Sequence, residues 1–117
     1  MLRLEALADA IGYSNQFHEP DSEAYQLRNP GLLRAWSLFQ LGSSNDESVR
    51  RFETAQGGYK ALCVALERRC ERAKKASLHE TINFIGAAKT DVVVDFLQRA
   101  LKDTHITAKT PISFFME

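Results

Sequence analysis

A chain of 117 residues, 44% hydrophobic and 26% charged, fits one globular domain that needs no metal or disulfide to fold. Fifteen basic and fifteen acidic residues cancel, which excludes a general polyanion coat but leaves room for a local basic patch. No apolar run approaches the ~18 residues that span a bilayer, and Glu5 and Asp9 interrupt the N-terminal segment where a signal peptide needs an unbroken apolar core.

Leu2, Leu4, Leu7, Ala8 and Ile11 recur at helical spacing and predict a first helix, with Gly12 as its stop. The pattern is lost from Tyr13 to Glu23, which reads as an irregular loop with Pro20 biasing Glu19 away from helix. Asn29-Pro30-Gly31 is turn chemistry: proline presets φ, and glycine tolerates conformations that other residues avoid. Leu32, Leu33, Trp36 and Phe39 then suggest one or two helical turns. Residues 40–47, rich in Gly, Ser, Asn and Asp, are the most loop-like stretch, and Val49 to Phe52 is expected to be extended.

The clearest element follows. Thr54 is a good N-cap, and Gly58, Leu62, Leu66, Arg69/Cys70 and Ala73 continue at steps of three and four into a long amphipathic helix. Gly57 and Gly58 near its start cost about 2 kcal/mol of helix propensity relative to alanine, which implies a reason for them. The structural reason is close approach of another backbone, such as the Asn29–Gly31 turn. The functional reason is access for a ligand. Ser77 and Glu80 form a capping box for a helix that buries Leu78, Ile82 and Ile85 and stops at Gly86. Thr90 is expected to cap one more helix, with Val93, Phe96, Leu97, Ala100 and Leu101 inward. Thr110-Pro111 opens a terminal turn whose Phe114 and Phe115 close the core.

Chemistry-bearing clusters are few. Glu19, Asp21 and Glu23 crowd the loop beside His18, and paired carboxylates can serve as general acid and base, although exposed acidic loops are common. His79 and His105 sit near helix ends, where solvated roles are the ordinary ones. Cys63 and Cys70 lie seven residues apart on one helix, about 10 Å, too far to pair with each other, and read as packing residues of a reducing compartment. No zinc-ligand spacing, phosphate loop or nucleophile elbow is present, so neither metal nor cofactor is expected. Arg68, Arg69, Arg72, Lys74 and Lys75 make a basic run in the second half of the long helix, with Arg50 and Arg51 as candidates to extend it. It is either a phosphate-contacting patch or a solvated face balanced by Glu67 and Glu71.

Arg28-Asn29-Pro30-Gly31-Leu32-Leu33-Arg34 resembles the Asn-Pro-Gly-Asn-(Ile/Leu)-Arg signature of small bacteriophage and prophage proteins described as virion-structural or lysis-associated. Further blocks are similar in order: Phe52-Glu53-Thr54, then Gly58-Tyr59-Lys60-Ala61-Leu62, the capped helix from Ser77, the helix with Phe96 to Leu101, and Thr110 to Ser113. Leu32 stands where the signature has its second asparagine. The resemblance implies a phage-derived, mainly helical domain and transfers no catalytic residue.

The sequence therefore predicts a single all-α domain of five or six helices around the helix after Thr54. The expected role is non-enzymatic, through contact with a protein partner, in the bacterial cytoplasm or built into a virion. One alternative is a domain that binds or cleaves peptidoglycan through the turn, with Arg28 and Arg34 as anion forks and Trp36 as a flat platform beside Asn29. At the same residues, the purely structural reading has Asn29 capping the next helix and Trp36 in the core. A nucleic-acid-binding regulator using Arg68 to Lys75 is the other alternative.

Overall fold

The computed structural model describes residues 2–34 and 49–117. Among them the chain is all-α, with no strand beyond two isolated bridges, Arg34 to Val49 and Ser77 to Pro111. Helix α1 is Arg3–Ser14, α2 is Glu23–Gln26, α3 is Ala55–Arg72, α4 is Leu78–Ile85 and α5 is Thr90–Ala100. A 3-10 turn, Ile112–Met116, ends the chain.

Local capping sets several of these boundaries. The Thr54 side chain accepts from the Gly57 N–H and starts α3. Ser77 and Glu80 close a complete capping box on α4, which ends before Gly86. At α5 the N-cap position is Lys89, and Thr90 is the first helical residue rather than the cap.

The long helix buries Gly58, Leu62, Ala65, Leu66 and Cys70; Ala65 joins the expected stripe, while Ala73, expected to continue it, is the half-buried C-cap residue. It packs on α1, α4 and the 3-10 turn, while α1 and α5 share the most extensive helix interface. Packing is thus divided between α3 and α1, whose Ala6, Leu7, Ala8, Ala10 and Ile11 are all buried. Phe115, Ile112 and Ile106 close the core from the C-terminal side, whereas Phe114 is only half-buried. On α5, Val93 and Leu97 face inward, Phe96 and Leu101 are half-buried, and Ala100 is exposed.

Gly12 does not stop α1. The helix runs on to Ser14, whose hydroxyl accepts from the Lys89 N–H at 2.7 Å. Pro30 packs closely against this glycine: a Cβ would stand 3.3 Å from the proline Cβ. The chain leaves the helix at Gln16, which takes a left-handed φ of 60°.

Leu32 to Arg34 are not helical. They run irregularly into the Arg34–Val49 bridge, with the Arg50 N–H donating to the Leu33 carbonyl. The expected helical turn at Trp36 and Phe39 and the loop over 40–47 lie outside the described residues.

Candidate functional site

The Asn29 turn is the structural knot of the molecule. Asn29 is completely buried. Its Oδ1 accepts from the Leu33 N–H at 2.9 Å, and its Nδ2 donates to the carbonyls of Leu33 (3.1 Å) and Arg50 (2.8 Å). It therefore caps no helix. It satisfies three backbone groups of two passing segments, and buried backbone groups require such partners.

Asn15 does similar work from the end of α1, donating to the carbonyls of Pro30 and Ala87. The sequence pattern gave no sign of Asn15, because its two partners lie 15 and 72 residues away.

Two glycines grip this turn. A Cβ on Gly58 would collide with the Arg28 carbonyl, and one on Gly86 would collide with the Gly31 carbonyl. The close approach expected for the glycine pair of the long helix is thus made by Gly58. A Cβ on Gly57 would meet only the Thr54 hydroxyl, at 3.0 Å. Within the turn, Gly31 does not carry the unusual backbone conformation. The left-handed residues are Arg28 (φ 51°) and Leu32 (φ 48°). Gly31 is there for space, since a Cβ would stand 2.7 Å from Leu62 Cδ1.

The four residues named for binding at the turn divide accordingly. Asn29 is spent inside the fold. Arg34 donates through Nη1 to the carbonyls of Asn83 (3.0 Å) and Phe84 (3.2 Å), placing its charge at the C-terminus of α4 where the helix dipole favours a cation. Arg28 has an exposed side chain. Trp36 lies outside the described residues.

The basic half of α3 also divides. Arg69 turns inward, with its guanidinium carbon 3.8 Å from the centre of the Phe84 ring and a buried Nε that makes no hydrogen bond among the described residues. This is a cation–π contact within the fold. Arg68, Arg72, Lys74 and Lys75 are exposed. Lys74 shares a hollow with Glu67 and Glu71. Arg50 and Arg51 precede α3, and Arg51 donates through Nη1 to the Gln26 carbonyl at 3.0 Å.

The structure brings together a different group, which the sequence pattern did not. Asp9, Tyr13, Phe17, His18, Tyr59 and Phe96 line a groove of about 350 Å³ between α1, the following turn, α3 and α5. Gly12 and Pro30 also line it, so the Asn29 turn supplies part of its wall. The His18 ring stacks on Tyr13 at 5.1 Å and 10°, and Phe96 lies 5.5 Å from Tyr13 on a tilt. Tyr13 is 53% exposed. Tyr13 and Phe96 also line a neighbouring hollow with Val92, Asp95 and Arg99. Together these rings form one aromatic surface.

Compared with protein-family models, curated proteins and solved structures, the chain matches none.

The titration behaviour of this region has a clear origin. Burial raises the Asp9 carboxyl above the ordinary value of 3.8; a hydrogen bond from Tyr59 opposes the rise and Glu5 adds to it. Burial also holds the Tyr59 hydroxyl well above its usual range, helped by the negative charge of Asp9. The Cys63 thiol is raised by burial and then by Glu67, Glu5 and Asp9. A thiol so placed stays protonated at neutral pH and is a poor nucleophile, which fits a packing role. Both cysteines are free. Among the described residues, no group of three His, Cys, Asp or Glu side chains is placed to hold a metal, and no helix is long and apolar enough to cross a membrane.

The remaining candidates are peripheral. Glu19, Asp21 and Glu23 are exposed. His79 is exposed and shares hydrogen bonds with Thr90 and Asn83. His105 lies 3.4 Å from Asp103 at the surface.

Proposed function

We propose that this is a small phage- or prophage-derived protein that works without catalysis, by contact with a protein partner in a virion or in the host, and that the aromatic groove makes the contact. The observation that carries the reading is the exposed Tyr13 ring, stacked on His18 and in tilted contact with Phe96, where the groove and the neighbouring hollow meet. Aromatic residues gathered on a concave surface are the usual anchors of protein interfaces, where a few such side chains carry most of the binding energy. The polar groups at the Asn29 turn support the reading indirectly: Asn29 and Arg34 hold the fold, and the turn contributes Pro30 to the groove wall. The phage origin rests on the Arg28–Arg34 signature and on the order of the blocks after it.

The test is co-expression with the products of neighbouring genes, comparing the native chain with Tyr13→Ala and with Arg68→Ala/Arg72→Ala. Capture of a defined partner by the native chain and by the double variant, lost in Tyr13→Ala with an unchanged circular dichroism spectrum, is the expected outcome. Retention of the partner by Tyr13→Ala would sink the groove as the contact site. Two further assays address the alternatives. Pull-down with purified peptidoglycan would favour wall binding. Nucleic-acid binding that weakens steeply with salt and is lost in the double variant would favour the regulator.

A further inference from the structure

The groove has a chemical preference that its aromatic lining alone does not require. Asp9 stands among the rings of Tyr13, Phe17, His18, Tyr59 and Phe96. Glu5 lies one turn earlier on the same helix, and the Tyr59 hydroxyl reaches its carbonyl at 3.4 Å. The Tyr59 hydroxyl also interacts with the Asp9 side chain, and both residues line the groove. Among the described residues, ion pairs within 4 Å form between Arg3 and Glu117, Arg99 and Asp95, His18 and Glu19, and His105 and Asp103; none includes Glu5 or Asp9. A carboxylate set among aromatic faces, with no lysine or arginine paired to it, is the arrangement that attracts a cation: the rings offer their negative faces and the carboxylate supplies the countercharge.

We propose that the groove receives a cationic side chain, lysine or arginine, presented by the protein partner, with Asp9 as its counterion and the Tyr13 and Phe96 rings packed along its stem and head. The volume of about 350 Å³ is at the small end of the range for ligand pockets and suits one long side chain. The partial burial of Asp9 fits this assignment, because a partly desolvated carboxylate without an internal ion pair gains more from an incoming cation than a fully solvated one. The proposal rests on the groove being a protein-contact site and names what enters it.

The test follows ring-proton shifts by NMR as the full chain is titrated with Nα-acetyl-lysine methylamide, Nα-acetyl-arginine methylamide and the neutral Nα-acetyl-norleucine methylamide. Saturable shifts at Tyr13, His18 and Phe96 with either cationic probe, weakened roughly tenfold or more in Asp9→Asn, are expected. Norleucine should bind at least about tenfold more weakly than lysine. Tyr13→Leu, which keeps apolar bulk and removes the ring, should also weaken the cationic probes and provides a second check. Equal binding of norleucine and lysine, or unchanged lysine binding in Asp9→Asn, overturns the proposal while the groove stands as an apolar contact site. No saturable shift with either cationic probe also overturns it. If Tyr13→Ala in addition keeps its co-purifying partner, the contact reading falls as well.

Discussion

The Asn29 turn and the aromatic groove share a wall at Pro30, yet they handle their polar groups in opposite ways. In the turn, every hydrogen bond of the Asn29 amide goes to backbone of the fold, and two glycines let neighbouring segments close on it. In the groove, Asp9 is partly desolvated without a basic partner among the described residues, and Tyr13 presents its ring to solvent. A polar group consumed by the fold has no hydrogen bonds left for a ligand, however conspicuous it is in sequence. One held at a cost beside exposed rings is a better candidate.

The contrast can be broken most forcefully at Gly58. Gly58→Ala drives a methyl group into the Arg28 carbonyl, and a loss of roughly 3–5 kcal/mol is expected in urea unfolding. Gly57→Ala, one residue away, should change stability by less than about 1 kcal/mol, because helix propensity gains what crowding against Thr54 loses. Next in size is Asn29→Ala. It leaves the Leu33 N–H without its acceptor and takes one donor each from the carbonyls of Leu33 and Arg50, and about 2–4 kcal/mol should be lost in the same assay. Leu32→Asn sharpens the account of the turn. Asparagine tolerates a left-handed φ better than leucine, so the unfolding midpoint should hold or rise. An ordinary half-buried leucine lost to a polar residue would instead cost about 1 kcal/mol.

The smallest effect belongs to the groove and depends on pH. The Asp9 pKa is raised on folding, so the folded state binds that proton more tightly than the unfolded chain does. The resulting advantage is present below the ordinary value of 3.8 and is lost as pH rises through the raised value. Asp9→Asn should therefore match the native chain in acid and be slightly more stable at neutral pH, as thermal melts at the two pH values will read.

Features set by a few adjacent residues were legible in the sequence. The Thr54 cap, the Ser77–Glu80 box and the buried stripe of α3 are short-range patterns, and they form as expected. The close approach at Gly58 was legible because a glycine inside a helix costs stability and so implies a neighbour. Gly12 carries the same signal, a glycine inside a helix with a close neighbour in Pro30, but its place beside the pattern break at Tyr13 makes it look like a stop. The groove was not legible because its residues come from positions 8–18, 30, 59 and 96 and meet only in the fold. The available signal was Asp9, Gly12 and Tyr13 at helical spacing on one face of α1, which runs on to Ser14 past the glycine. At the basic run, charge alone could not reveal that Arg69 turns inward onto Phe84.

The most direct test of this division of labour pairs Asn29→Ala with Tyr13→Ala, scoring each for urea midpoint and for partner retention. The account predicts a large fall in midpoint for Asn29→Ala, and a native midpoint with lost partner for Tyr13→Ala. A stable Asn29→Ala that no longer binds, beside a Tyr13→Ala that still does, would contradict it and return function to the turn.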